Sequence, residues 1–180
     1  MRNLITRAAA AVAMVGLLGL GACASPARPE AMTLLPSTIE AATPGDFGYQ
    51  SIRVASVQGG GDTNPMWLSN VSNIEFKKAL EGSLAATGYF RADGPYSLTA
   101  TMIDLQRPMA GLDLSVTSRV RYSVVDQANA VVFDDTVAAT GTAKFGDSLL
   151  AVERLRLANE ASVRENIKAF VERFRAHTEN

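Results

Sequence analysis

Four stretches of the chain have the residue pattern of β-strands. Ser51–Val57 is short and rich in β-branched residues, which predicts a first strand. Apolar and polar residues alternate along Tyr96–Met102 and Leu114–Val124, so each of these stretches predicts a strand with one buried face. Val131–Thr142 predicts a fourth strand, in which Asp135 has the same parity as apolar residues. A bulge or an edge position would explain that acidic residue.

Two further stretches have the pattern of α-helices. Ser72 and Glu75 have the spacing of a capping box, and Gly88 supplies the left-handed residue that commonly ends a helix. Between them one face carries apolar residues at every fourth position: Phe76, Leu80 and Leu84. A longer helix is predicted after Lys144–Ser148 and ends near Arg175. Its favourable charge pairs at helical spacing include Glu160 with Arg164.

The predicted order of elements is therefore β-α-β-β-β-α. A β-α-β crossover places its two strands parallel, and the strands that follow form a meander. We expect an α/β (α+β) fold, a two-layer sandwich in which two helices cover one face of a four-stranded mixed sheet. Residues 49–177 form this single domain, and the polar faces of its strands are expected to meet water or a partner.

The first 22 residues have the layout of a bacterial secretory signal peptide. Arg2 and Arg7 supply positive charge, and residues 8–20 form an apolar run without a charged residue. A transmembrane helix needs about 20 apolar residues, so this run fits the core of a signal better than a permanent span.

Leu20–Cys23 resembles the lipobox of bacterial lipoproteins. The resemblance implies that Cys23 is acylated and becomes the first residue of the mature chain, bound to the membrane through its acyl chains. The alternative is an ordinary signal, cut without lipidation, with Cys23 an incidental thiol. Ala24 stands where the enterobacterial sorting rule places an aspartate in inner-membrane lipoproteins. We therefore expect a lipid-anchored protein at the outer membrane, facing the periplasm.

Residues 23–48 are predicted to form a lipidated tether. Four prolines interrupt a stretch rich in Ala, Ser and Thr, a composition that resists regular structure: Pro26, Pro29, Pro36 and Pro44. A flexible chain of this length spans roughly 25–30 Å. Met32, Leu34 and Leu35 break the polar pattern, which indicates that part of the tether docks on the domain.

The residue inventory argues against several classes of function. Net charge is −1, and loss of Arg2 and Arg7 with the signal makes it −3, without the basic stripe that nucleic-acid binding requires. The single histidine, His177, lies near the end of the chain, and Cys23 is the only cysteine, so the sequence predicts neither a zinc site nor a disulfide. Asp134 and Asp135 are adjacent on a strand and point to opposite faces.

We therefore predict no catalytic residue, no metal and no cofactor. Gly59–Gly61 lacks the Lys-Ser/Thr that follows a phosphate-binding glycine loop and is read as a turn. An enzyme built from carboxylates distant in the sequence is the alternative to a non-catalytic protein.

One candidate binding site consists of arginines on the polar face of the sheet. Arg119 and Arg121 stand at i,i+2 on one strand, and Arg53 lies on another. Guanidinium groups on an open face can hold phosphate or carboxylate groups of a glycolipid, peptidoglycan or an acidic protein. The alternative is a solvated face whose charges are balanced by nearby acids.

A second candidate site follows from the topology. Parallel first and second strands would bring loops 59–71 and 106–113 to one end of the sheet. These loops carry apolar residues that predict a protein-binding surface: Met66, Trp67, Leu68, Met109 and Leu112. Because the tether joins the first strand at the opposite end, we expect this surface to face away from the membrane. The alternative is that Trp67 closes over the first helix and joins the core.

The whole plan resembles a group of small proteobacterial outer-membrane lipoproteins, namely YajG-like lipoproteins and, more loosely, the lipopolysaccharide-assembly lipoprotein. Four segments carry the likeness: Leu20–Cys23, residues 59–67, residues 73–90 and residues 152–174. Our first hypothesis is a non-catalytic, membrane-anchored lipoprotein that acts as a binding or accessory subunit of a cell-envelope assembly, with an envelope protein as partner. An accessory lipoprotein that handles glycolipid or phospholipid for a transport machine is the alternative. Fold likeness alone does not assign either function.

Overall fold

The computed structural model describes residues 24–64, 68–108 and 111–178. In chain order its regular elements are α1 (Pro29–Met32), β1 (Ile52–Gln58), α2 (Asn73–Ala86), β2 (Tyr96–Gln106), β3 (Leu114–Val125), β4 (Val131–Ala143) and α3 (Ala151–Thr178). The strands form one four-stranded sheet in the order β1-β2-β3-β4. Residues 24–51 therefore precede the sheet as a long, mostly irregular segment.

The sheet is mixed, as the sequence predicted. β1 and β2 are parallel, while β2 with β3 and β3 with β4 are antiparallel. Helices α2 and α3 pack on one face, α2 over β1 and α3 over β3 and β4. The predicted α+β sandwich is confirmed, with the short helix α1 as an addition. β2 also continues four residues beyond its predicted end, because its ladder with β3 resumes after a register shift at Met102.

Helix α2 begins and ends at the residues that its sequence indicates. Ser72 Oγ accepts from Glu75 N at 3.3 Å, and Glu75 Oε2 accepts from Ser72 N at 2.8 Å, which completes the capping box. Gly88 has a φ of +80°, and Tyr89 N then donates to Leu84 O at 2.8 Å. These local bonds satisfy backbone groups that the helix itself leaves unpaired.

Aromatic rings join α3 to the sheet and to the turn after α2. The ring of Phe170 stacks on Tyr122 of β3 with centroids 4.1 Å apart, and Phe174 meets Tyr89 edge-on at 5.6 Å. At Gly141 the backbones approach so closely that an added Cβ would lie 2.1 Å from Ser162 N. The helix therefore lies directly on β4 at this point.

A buried set of polar side chains crosses the same interface. Asn166 of α3 accepts from the Tyr122 hydroxyl at 2.8 Å and donates to Ser118 O and Val137 O, both at 3.0 Å. Ser162 Oγ donates to Ala139 O at 3.0 Å. Burial raises the pKa of Tyr122 well above its usual range, because the phenolate would lose its hydration. The hydrogen bonds supply the partners that buried polar groups need.

The unusual position of Asp135 is explained by the edge of the sheet. β4 is an edge strand, and its register with β3 shifts between Val124 and Val125. Asp135 lies on the helical side of β4, where its Oδ2 accepts from Arg173 Nη1 of α3 at 2.8 Å. The register shift lies before Phe133 and leaves Asp135 in register with Phe133 and Val137, so the edge position, with Arg173 as partner, accounts for the acidic residue.

Candidate functional site: the N-terminal strap and the loop end

Residues 24–48, here called the N-terminal strap, lie across the two long helices. Apolar side chains at five positions are buried: Ala24, Ala27, Met32, Leu34 and Ala42. Helix α1 packs against both α2 and α3. The composition of this segment predicted a flexible tether with some docking; the structure docks it along its length, although Leu35 stays exposed.

Backbone hydrogen bonds attach the strap to three parts of the domain. Ala27 N donates to Asn70 O at 3.2 Å, and Ala42 N donates to Thr87 O at 2.9 Å. Between these points, Leu34 N donates to Ser83 Oγ at 3.0 Å inside the core. The strap is therefore held from the start of α2 to its end, with polar groups satisfied by long-range partners.

A buried carboxylate on α3 forms a hydrogen bond with the strap. Glu160 Oε1 accepts from Arg28 N at 2.8 Å and from Arg156 Nη1 at 2.6 Å. The side chains of Glu160 and Arg156 are only 3% and 6% exposed. Arg156 also hydrogen-bonds Glu153, which lowers the pKa of that carboxyl. The sequence spacing predicted a partner four residues later, but Arg164 donates to Ala31 O of the strap instead, at 2.8 Å.

The strap begins beside the loop that joins β1 to α2. Ala24 is 6% exposed, and Ser25 O accepts from Ser69 Oγ at 2.9 Å. Ser69 O in turn accepts from Asn159 Nδ2 of α3 at 3.0 Å. Cys23, the residue before Ala24 in the sequence, lies outside the described residues.

This start position changes the expected orientation of the domain. We expected the loops after β1 and β2 to face away from the anchor. The strap instead runs back along the helices, so that its first residue lies at the same end as those loops. The tertiary packing of the strap, which the topology of the sheet does not specify, causes the difference.

We call this end of the domain, formed by loops 59–72, 107–113 and 144–150, the loop end. The parallel pairing of β1 and β2 brings the first two loops together, as expected. Leu68 is half-buried, and its backbone exchanges two hydrogen bonds with Asn64, at 2.8 and 3.0 Å. Leu112 is 71% exposed. The predicted Met66, Trp67 and Met109 lie outside the described residues.

The third loop adds apolar residues that sequence reasoning missed. Phe145, Leu149 and Leu150 are exposed, with Leu149 81% accessible. Phe145 N donates to Asp113 Oδ1 at 2.8 Å, which joins this loop to the one that carries Leu112. The available signal was the Leu149-Leu150 pair immediately before a helix start, where polar residues are usual.

The three predicted arginines do not form one cluster. Arg121 makes a two-bond contact with Asp134, Nε to Oδ1 at 2.9 Å and Nη2 to Oδ2 at 2.8 Å. This contact lowers the pKa of Asp134. Arg119 lies on the same face, opposite Asp104 in the register. Arg53 is two strands away and farther along the sheet, roughly 15 Å from Arg121 by strand geometry. One of the two neighbouring guanidinium groups is therefore already paired.

The chemistry of the remaining candidates is also settled by their neighbours. Asp134 and Asp135 point to opposite faces of β4 and pair with Arg121 and Arg173 respectively. The ring of His177 packs edge-on against Phe133, with centroids 5.5 Å apart.

Within residues 24–64, 68–108 and 111–178, no three His, Cys, Asp or Glu side chains gather as metal ligands. None of the helices in these ranges is long and apolar enough to cross a membrane.

Comparison with known proteins gives similarity of fold alone. No protein-family model matches the sequence, and no curated protein matches it. The structure is similar to that of protein XCC0632 from Xanthomonas campestris, of the DUF330 family, with a TM-score of 0.54 and 13% identity, over 78% of this chain and 94% of that one. It is also similar to a provisionally assigned lipoprotein from Caulobacter crescentus, with a TM-score of 0.50 and 14% identity, over 72% and 90% of the two chains. The chain is thus a distant structural relative of these bacterial proteins.

Proposed function

We propose that this protein is a lipid-anchored lipoprotein of the outer membrane, facing the periplasm, and a non-catalytic binding subunit of a cell-envelope assembly. The observation that carries the proposal is the lipobox-like Leu20–Cys23 behind a signal-like leader. The fold similarity to a provisionally assigned bacterial lipoprotein supports it, and the docking of Ala24, the residue next to Cys23, bears on how an anchored domain would sit.

Docking of the strap has a direct consequence for a lipidated chain. Acyl chains on Cys23 would hold the domain itself, with only Ala24 between the modified cysteine and the residue bonded to Ser69. Each buried CH₂ of an acyl chain contributes about 0.8 kcal/mol, so several chains give durable attachment. A domain held without a spacer keeps one orientation to the membrane, which suits a subunit that presents a fixed surface to a partner.

The surface left for a protein partner is the open face of the sheet. The strap covers part of the helical side, and the loop end lies beside the anchor. The open face is rich in hydroxyl groups, including the cross-strand pairs Ser115–Thr142 at 2.8 Å and Thr117–Thr140 at 2.7 Å. Arg119 projects from the same face and is exposed. A polar surface of this kind fits a partner that binds through hydrogen bonds.

The lipid anchor is tested by mass spectrometry of the protein purified from bacterial membranes. We expect loss of residues 1–22 and added acyl mass on Cys23. The variant Cys23→Ala should lose the modification and leave the membrane fraction. A mature chain with an unmodified thiol, or a chain that retains its leader, would disprove the anchor.

The binding surface is tested by crosslinking in cells. A photoreactive amino acid replaces Thr117 or Thr99 on the open face, and the control replaces exposed Ala85 on α2. We expect a discrete protein adduct from the sheet positions and none from Ala85, with identification by mass spectrometry. Adducts from Ala85 alone would place the partner on the helical side instead.

A further inference from the structure

We propose that the loop end inserts apolar side chains into the membrane surface, so that the protein contacts the bilayer both through acylated Cys23 and through its folded domain. The inserted residues are Leu112, Phe145, Leu149 and Leu150, here called the apolar tip. The inference rests on the proposed lipid anchor and specifies how the anchored domain sits.

The apolar tip is a concentrated feature of the surface. Among the described residues nine large apolar side chains are exposed, and four of them lie here. Leu149 and Leu112 are the two most exposed of the nine, at 81% and 71%. Water-exposed apolar groups at this density mark a surface that is covered in use.

Hydrogen bonds fix the two loops of the tip to each other and to α3. Asp113 Oδ1 accepts from Phe145 N at 2.8 Å, which ties the residue after Leu112 to the start of the second loop. Arg154 Nη1 donates to Ser148 O at 2.6 Å, and its guanidinium lies 5.1 Å from the centroid of the Phe145 ring. These contacts hold the apolar tip in a fixed position on the domain.

Three charged side chains around the tip hydrogen-bond backbone atoms: Asp113, Asp147 and Arg154. Asp147 Oδ2 accepts from Lys144 N at 2.7 Å, just as Asp113 accepts from Phe145 N. Arg154 is 5% exposed, with its donor on Ser148 O. These side chains satisfy backbone groups of the loops, and the leucines remain exposed to solvent. That arrangement fits an apolar medium better than it fits a charged protein partner.

The position of the chain start identifies the bilayer as the occupant. Ser69 links the strap at Ser25 to Asn159 of α3, by bonds of 2.9 and 3.0 Å. Asn159 is eight residues after Ala151, about 12 Å along the helix axis. Ala24, to which Cys23 is covalently joined, is thus held at the same end of the domain as the tip. Acyl chains that start there and apolar side chains that insert about 5–10 Å into the interface reach the same membrane.

The test uses the acylated full chain and single introduced thiols. Because Cys23 is the only cysteine, lipidation leaves no other thiol to label. Leu149→Cys places a nitroxide label on the tip, and Ala128→Cys places one in the exposed turn between β3 and β4, at the opposite end of the sheet. Both proteins are reconstituted in vesicles of phosphatidylethanolamine and phosphatidylglycerol. Unchanged thermal unfolding of both variants verifies the fold.

We expect the label at position 149 to collide several-fold more with dissolved oxygen, which concentrates in lipid, than with a water-soluble nickel reagent. The label at position 128 should show the reverse preference. Equal exposure of both labels to the nickel reagent would overturn the inference, while intact acyl mass and flotation with the vesicles would leave the proposed anchor standing. Failure of acylation and flotation would instead remove the anchor itself. Protection of position 149 without lipid, increasing with protein concentration, would overturn the inference in favour of a second copy of the chain.

Discussion

The backbone amide of Arg28 donates a 2.8 Å hydrogen bond to Glu160 Oε1, which joins two residues 132 positions apart in the sequence. The same oxygen accepts from Arg156 Nη1 at 2.6 Å, so one buried carboxylate holds both the strap and a buried guanidinium. Arg156 also pairs with Glu153, so loss of Glu160 would leave the buried guanidinium with one carboxylate in place of two. The strap is thereby coupled to the stability of α3.

Replacement of Glu160 should release the strap. Glu160→Gln removes one of the two carboxylates that pair with Arg156, the other being Glu153, and we expect a loss of about 2 kcal/mol in the free energy of unfolding. Amide hydrogen exchange over residues 24–34 should become faster, because Arg28 N loses its charged acceptor. Glu165→Gln is the control, since that carboxylate is exposed and 3.9 Å from Arg164 Nε. Equal exchange rates in both variants would contradict the role given to Glu160.

Replacement of Gly141 should separate α3 from β4. In Gly141→Ala the new Cβ would lie 2.1 Å from Ser162 N, so the helix must move, and we expect a loss of about 2 kcal/mol. Gly146→Ala is matched in chemistry, but its Cβ would meet nothing within 4 Å. Chemical denaturation should therefore give a lower midpoint for the first variant only. Wild-type stability of Gly141→Ala would show that the close approach is absent in solution.

The buried polar contact between α3 and β3 should show energetic coupling. Asn166→Ala removes the acceptor of the Tyr122 hydroxyl and the donor to Ser118 O and Val137 O, and we expect a loss of about 3 kcal/mol. Tyr122→Phe should cost about 1 kcal/mol, because it leaves Asn166 Oδ1 without its donor. In the double variant the two losses should not add, since one hydrogen bond is counted in both. Strict additivity in urea unfolding would argue against the bond.

Asp135 should contribute stability that is lost in acid. The hydrogen bond from Arg173, its largest influence, lowers the pKa of Asp135 in the folded protein. Its contribution is therefore complete above the unfolded pKa of about 3.9 and disappears as pH falls through the lower folded value. Asp135→Asn should be less stable at pH 7 by under about 1 kcal/mol, because the pair is partly exposed. Its difference from the wild type should shrink as the pH falls below about 3.9.

The same pH series with Arg173→Gln provides the control. Loss of the guanidinium should produce a similar deficit at pH 7 and a similar convergence with the wild type in acid. A deficit that stays constant down to low pH in either variant would assign the effect to packing rather than to the ion pair.

The local elements of the domain were predictable because their signals lie within a few residues. The capping box of Ser72 and Glu75 and the left-handed Gly88 act over one helical turn, and they are present as predicted. Alternating burial along β3 followed from the period of two in a strand. The parallel pairing of β1 and β2 followed from the crossover through α2, which also brought two predicted loops to one end.

The candidate sites were less predictable because they depend on which distant residues meet. Arg119 and Arg121 were correctly placed on one face, but the pairing of Arg121 with Asp134 requires the register of β3 and β4. Arg53 lies two strands away and farther along the sheet, so it does not join them. The spacing of Glu160 and Arg164 was compatible with an ion pair on α3. The sequence of the helix does not show that the strap binds both side chains, Glu160 through Arg28 N and Arg164 through Ala31 O.

By itself the sequence predicted a leader that ends in the lipobox-like Leu20–Cys23, and it determined the order of strands and helices and the class of the fold, since these depend on local pattern and covalent order. Tertiary structure alone decided where the strap lies, and therefore which end of the domain adjoins Cys23. The physical reason is that a proline-rich segment has no periodicity of its own. Its conformation follows from buried partners such as Ser83 and Glu160, which assemble only when α2 and α3 pack on the sheet.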